Sequence, residues 1–306
     1  MKNLETKLGR ATFRNPVFGV SGCTGYGYEM EGFTDLSKYG AVSLKTIMPR
    51  PRNGNRPERV AEVPAGVITS IGLQGPGIDA FLDETMPKVV SALDKDQIIV
   101  SVAGDTVEEY AELCRRTVER YGDRIAAMEI NAACPNAHGV GYFSRDPKAA
   151  QELIKTVKSA MDMPLFFKFN TNFENYLEVA EAIDEVGVDA LYTTNTPLGL
   201  KIDIKTMRSA IGNVVGPICG PAIRPIGVLR TWNLYKKVKM PIVVSGGART
   251  WEDVLEYMMA GATAVGVGSA QFACPDAVQR IVADLELYME RNHLDSLGHL
   301  VGIAHK

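Results

Sequence analysis

The sequence predicts a (β/α)8 barrel, and three observations predict it. Eight short, near-continuously apolar runs recur along the 306 residues, amphipathic segments of helical period alternate with them, and polar residues gather where the runs end. Strands that are apolar on both faces belong to a parallel sheet covered on both sides, and eight such strand–helix units close into a barrel. A doubly wound sheet is the alternative, but no GxGxxG follows the first run.

The strands follow in order. Run 17–20 ends in Ser21-Gly22, and run 41–44 in Lys45-Thr46. Run 98–102 contains Ser101, and run 126–130 leads to Asn131. Run 165–169 carries Lys168, and run 190–193 leads to Asn195-Thr196. Run 241–244 ends in Ser245-Gly246-Gly247, and run 264–267 in Gly268-Ser269. Helices are expected over 106–121, 147–161, 176–186, 228–238 and 251–260. In a barrel all eight strand ends open onto one face, where active sites are built. Two connections, 47–77 and 195–225, exceed the short loops of a minimal barrel and read as functional loops without obvious helices. With no low-complexity linker or composition break, residues 1–306 read as one domain.

Composition narrows the function. A formal charge of −3 and a pI near 5.9 predict no electrostatic affinity for nucleic acid or anionic membranes. The N-terminal segment lacks an apolar core and so reads as neither signal peptide nor anchor, and the weakly polar stretch 257–273 is too short to span a bilayer. The five cysteines are scattered without a CxxC pair, which gives neither a zinc site nor an iron–sulfur cluster and suits reduced thiols in a cytoplasmic protein. The four histidines, His138, His293, His299 and His305, form no metal-ligand spacing and read as surface or helix-end residues. Arg50, Arg52 and Arg56 decorate the first long loop.

The chemistry concentrates in a few strand ends. Segment 126–133 delivers Cys134-Pro135-Asn136, followed by a glycine- and aromatic-bearing stretch at 138–143 that reads as a lid. A thiol beside the carboxamides of Asn131 and Asn136 suits proton removal from a small, neutral, hydrogen-bonding ring; a buried strand-end cysteine is the plainer reading. Gly246-Gly247 and Gly268-Ser269 match the phosphate site after barrel strands seven and eight, which fits a sugar phosphate or FMN. Lys168 and Lys45 suit a Schiff base, as in aldolase-type lyases, or donation to the N1–C2 edge of a flavin, or a structural ion pair. Asn131, Asn136 and Asn195 favour a planar, amide-bearing ligand, since a carboxamide both donates and accepts; capping of loops is their structural role.

These residues together resemble the class 1 dihydroorotate dehydrogenases, most closely the NAD-linked type, class 1B. The resemblance covers nearly the whole chain. Its markers are Ser21-Gly22-Cys23 with Gly25 and Gly27, Lys45-Thr46, Arg59 to Glu62, Ile71-Gly72-Leu73-Gln74, Asn131 with Cys134-Pro135-Asn136, Asn195-Thr196, Gly220 to Ile223, Gly246-Gly247 and Gly268-Ser269. The resemblance implies oxidation of dihydroorotate to orotate: Cys134 takes a proton from C5 while C6 passes a hydride to FMN. It implies that Lys45, Asn131, Asn136, Asn195 and Thr196 orient the ring, with Thr69, Ile71, Gly72 and Leu73 around its carboxylate. Ser21, Gly22, Lys45, Thr46, Ser101, Asn131, Lys168, Gly220, Gly246, Gly247, Gly268 and Ser269 are the implied FMN contacts. It further implies a homodimer within a heterotetramer, whose separate partner subunit carries FAD and a [2Fe–2S] cluster and reduces NAD. The chain departs from the family pattern at several points. Thr69 stands where Asn is usual, Gly75 and Ser101 replace Asn, Asn170-Thr171 replaces Ser-Pro, and Cys219 replaces Ser. The Thr69 change suggests an alternative, a relative acting on a dihydropyrimidine or cyclic amide without that carboxylate.

Overall fold

The computed structural model describes residues 4–133, 140–194 and 196–306. Cys134, Asn136, His138 and Asn195 therefore lie outside the described residues. The strands are β1 (Thr6–Leu8), β2 (Ala11–Phe13), β3 (Val17–Gly19), β4 (Ala41–Ser43), β5 (Val60–Val63), β6 (Gly66–Thr69), β7 (Ile98–Val102), β8 (Ala127–Asn131), β9 (Leu165–Asn170), β10 (Ala190–Thr194), β11 (Leu198–Leu200), β12 (Ile202–Asp203), β13 (Arg208–Ser209), β14 (Val215–Cys219), β15 (Ile242–Ser245) and β16 (Ala264–Val267). Eight of them close a parallel barrel in the cyclic order β3-β4-β7-β8-β9-β10-β15-β16, with β16 pairing back onto β3. These are the eight apolar runs of the sequence, and the fold is a (β/α)8 barrel.

The helices stop and start where local chemistry directs. Val107–Tyr121 begins at Thr106, whose side chain accepts from the Glu109 N–H. Pro147–Ala160 begins at Asp146, which caps two N–H groups, with Pro147 in the first turn where its missing N–H costs nothing. Trp251–Met259 opens with a reciprocal capping box between Thr250 and Asp253. The helix expected over 228–238 runs instead over Arg224–Tyr235, because Pro225 is tolerated in a first turn and does not delay the start. Ala277–Arg291 is a further helix.

The two long connections are not open loops. They supply β5, β6, β11 and β14, which pair as one antiparallel sheet in the order β11-β14-β6-β5. Val67 lies opposite Cys219 and Ile68 opposite Ile218, so the two insertions are stitched together. These strands are short, and β14 contains Pro217, which obscures a period-two pattern.

The barrel is plugged at its other end. β1 and β2 form a hairpin whose Leu8 and Phe13 pack with Phe18, Ile99, Phe166 and Val243 at the beginnings of the barrel strands. The Phe13 ring lies 5.0 Å from Phe18 and 6.0 Å from Phe166. A larger apolar layer fills the space between barrel and helices. The hairpin closes the barrel interior at the amino ends of its strands, and the carboxyl ends open onto a cavity.

Candidate active site

A cavity at that carboxyl end encloses about 980 Å³ of non-atom space, its open mouth included, a size that suits a cofactor. Its walls come from seven of the eight barrel strand ends. They include Ser21 and Gly22, Lys45 and Thr46, Asn131, Lys168, Thr194, Gly246 and Gly247, and Gly268 and Ser269. The eighth, β7, contributes from beneath. Ser101 is fully buried, is not open to the cavity, and shares a 2.9 Å hydrogen bond with the Thr46 hydroxyl.

Asn131 organises the centre of the site. Its Nδ2 donates to Thr46 Oγ1 at 2.8 Å, and its Oδ1 accepts from the Ala133 N–H at 3.1 Å. Its backbone carbonyl accepts from Tyr110 Oη at 2.9 Å. The same side chain thus links β8 to β4 and sets the course of the backbone that leads to Cys134. The capping role expected of this asparagine is present, and the side chain also lines the cavity. The 3₁₀ turn Val140–Ser144 follows, anchored by Ser144 Oγ donating to the Ala132 carbonyl at 2.6 Å.

Lys168 rises from β9 into the cavity floor, where its ammonium donates to Glu129 Oε1 and lies 5.4 Å from the centre of the Tyr192 ring. The ion-pair role expected of this lysine is therefore present, and a Schiff base would require breaking the pair.

The glycine end is built by close approach. Gly247 has φ +83°, and a Cβ there would stand 2.7 Å from the Gly220 carbonyl oxygen. Gly220, at φ +128°, sits under that turn and faces a neighbouring cavity beside Arg249 rather than this one. The backbone can therefore reach an anion that side chains would hold off. Among the described residues, anion-accepting glycines, Lys45 and Lys168, hydroxyls and the Asn131 carboxamide form a donor set that suits FMN.

The substrate side differs from expectation at three places. Lys45, Leu73, Asn131 and Thr196 line the cavity, whereas Thr69, Ile71 and Gly72 do not. Ile71 and Gly72 pack against Asn55, whose N–H donates to the Ile71 carbonyl at 3.0 Å. Thr69 instead lies beside Cys219, which it meets across the β6–β14 pairing. Sequence reasoning did not assign Cys23, Tyr192, Cys219 or Ile223 to the wall, whereas Ser245, expected among the polar strand ends, does line it. Cys219 carried a signal, since it stands next to Gly220 at a departure from the family pattern. Burial pushes the Cys219 thiol up to about 11 and the Cys23 thiol up to about 12, so both stay protonated near neutrality. Among the described residues no cluster of three or more His, Cys, Asp or Glu could hold a metal, and no helix is long and apolar enough to cross a membrane.

The comparisons with known proteins agree with this geometry. The family model for dihydroorotate dehydrogenase matches residues 3–289. The chain is 38% identical over 304 residues to the dihydroorotate dehydrogenase B (NAD(+)) catalytic subunit of Desulforamulus reducens, covering 99% of both chains. It is 38% identical over 301 residues to the same subunit of Geotalea uraniireducens, covering 98% of this chain and 97% of the relative. Among solved structures, the dihydroorotate dehydrogenase of Eimeria tenella in complex with ferulenol superposes with a TM-score of 0.80 at 20% identity, covering 99% of this chain and 89% of that one. This last likeness bears on the fold alone.

Proposed function

Because the chain belongs to the dihydroorotate dehydrogenase family, we propose that it oxidises dihydroorotate to orotate in pyrimidine biosynthesis, as an FMN-dependent dehydrogenase acting on a CH–CH group. One observation carries the reading: a single cavity joins the glycine turns after β15 and β16 to Lys45, Asn131 and Lys168 from β4, β8 and β9. FMN, when bound, supplies the hydride acceptor. Gly246, Gly247, Gly268 and Ser269 hold its phosphate, with Gly220 supporting the turn. Ser21, Gly22, Thr46 and Lys168 serve the ring, and Ser101 fixes the Thr46 hydroxyl. Lys45, Asn131, Asn136, Asn195 and Thr196 orient the substrate, Leu73 closes one side, and the segment Thr69, Ile71 and Gly72 lies behind the carboxylate. Cys134 takes the proton as base.

A partner subunit carrying FAD and a [2Fe–2S] cluster completes the NAD-linked reaction. Exposed Leu198, Leu200, Ile202, Ile204 and Met207 on the second insertion support association of two copies of the chain. The whole chain, 1–306, acts as one domain in the cytoplasm.

The absence of Thr69 from the cavity wall favours one second reading, in which the substrate is a dihydropyrimidine or cyclic amide lacking the carboxylate. Anaerobic reduction of the FMN-loaded protein separates the two. Dihydroorotate should bleach the flavin band and dihydrouracil should not. Cys134→Ala should keep FMN yet slow bleaching by roughly 10²–10⁴-fold. Bleaching by dihydrouracil alone would overturn the dihydroorotate reading, and wild-type bleaching in Cys134→Ala would remove the thiol from the mechanism.

A further inference from the structure

The floor of the cavity hides a carboxylate that none of the roles above uses. Glu129 is the third residue of β8, its side chain is 0% exposed, and that of its partner Lys168 is 7% exposed. Lys168 lines the cavity and Glu129 does not, so the carboxylate stands behind the ammonium as seen from the ligand. Ser43 Oγ, from β4, donates to the other carboxylate oxygen, Oε2, at 2.8 Å. The Tyr192 ring flanks the lysine. Four strands thus converge on one buried ion pair.

Stability does not account for the pair. Desolvating two charges roughly cancels their attraction, and an apolar pair of similar volume fills such a space as well. The barrel interior below is already apolar, with Phe18, Ile99, Phe166 and Val243. The pair sits instead where the apolar plug gives way to the ligand cavity. A lone buried ammonium there would place a full positive charge beside a bound ring. The carboxylate offsets part of it and holds the ammonium in one position.

We propose that Glu129 is a positioning residue for the flavin: it fixes Lys168 at the cavity floor and sets how much of its positive charge reaches the ring. The proposal rests on the reading that this cavity holds FMN with Lys168 beside the ring. A charge near the ring shifts the balance between oxidised and reduced flavin, because the reduced form carries more negative charge.

The test is the midpoint potential of the FMN-loaded protein, measured by dye equilibration at pH 7, together with its FMN dissociation constant. Glu129→Gln keeps the shape and a hydrogen-bonding group but removes the offsetting charge. The reduced-to-oxidised ratio at a given ambient potential should rise at least tenfold, a positive shift of about 30 mV for a two-electron couple. Lys168→Met should shift the potential the other way. If Lys168→Met leaves both potential and FMN affinity unchanged, the lysine is not beside the ring and the underlying reading fails. If Lys168→Met lowers the potential but Glu129→Gln leaves it unchanged or lowers it, the proposal is overturned. A purely structural role for Glu129 would lower thermal stability without moving the potential. Should Glu129→Gln fail to fold, Ser43→Ala gives the same information with opposite sign. Without its donor the carboxylate offsets the lysine more fully, and the ratio should fall at least threefold; no fall overturns the proposal.

Discussion

Replacing Asn131 with alanine tests whether one side chain both holds the barrel mouth together and shapes the reaction centre. The substitution removes the donor to Thr46 Oγ1 and the acceptor of the Ala133 N–H. Thr46 keeps its bond to Ser101, so its loss is a net hydrogen bond, about 0.5–1.5 kcal/mol. Ala133 is 7% exposed, and its N–H would lose its acceptor in a desolvated place, at about 1–3 kcal/mol. The sum, about 1.5–4.5 kcal/mol, is a large fraction of a typical folding stability. For a chain of this size it corresponds to a fall in Tm of roughly 2–7 °C. Calorimetry or circular dichroism of the FMN-free protein measures this directly. The same variant should slow flavin bleaching by dihydroorotate, since the backbone entering Cys134 is no longer tied to β4. A Tm within about 1 °C of wild type would refute the reasoning, because the two bonds would then contribute nothing net.

Thr69→Asn should exchange the hydroxyl beside Cys219 for a longer amide that reaches toward the cavity. One added hydrogen bond to the substrate, worth about 1–2 kcal/mol, should lower KM for dihydroorotate some 5–30-fold with kcat little changed; an unchanged KM would show that this position does not meet the substrate. The Cys114 thiol, buried in helix Val107–Tyr121, is pushed from 9.0 up to about 12 by burial. Below pH 9 it is protonated in both states and stability is flat. Between pH 9 and 12 the unfolded chain releases a proton that the folded chain keeps, so stability falls with rising pH by about 1.4 kcal/mol per unit. Urea midpoints at pH 8 and pH 10 should therefore differ less for Cys114→Ala than for wild type, and equal differences would count against this assignment.

The barrel strands were legible because each is buried on both faces, which leaves a near-continuous apolar run such as 264–267. The ligand-facing residues were legible for the complementary reason: Lys45, Asn131 and Lys168 interrupt or terminate those runs near the carboxyl ends, where the cavity opens. The antiparallel sheet was not legible. β5 alternates exposed and half-buried residues over only four positions, and β14 carries a proline, so neither shows a sustained period. Cys219 was noted only as a departure in sequence, since its place in the wall depends on a pairing with β6 across about 150 residues of chain. Glu129 was hidden for the opposite reason, being a charge inside an apolar run whose partner is 39 residues away.

The β1–β2 hairpin has a consequence for how the chain is made. Its backbone is clamped by Asp189, which accepts from the Arg10 N–H at 2.7 Å across 179 residues. Asp189 also accepts from the Leu165 N–H at 2.9 Å, so one carboxylate joins the first hairpin to β9 and to the start of β10. On the ribosome the first strands therefore emerge long before the residues that seat them, and Leu8 and Phe13 have no finished surface to cover until β16 has been synthesised. Contacts of such sequence separation form late and leave apolar surface waiting. The stopper that closes the floor of the barrel is the first part of the chain to be born and among the last to find its place.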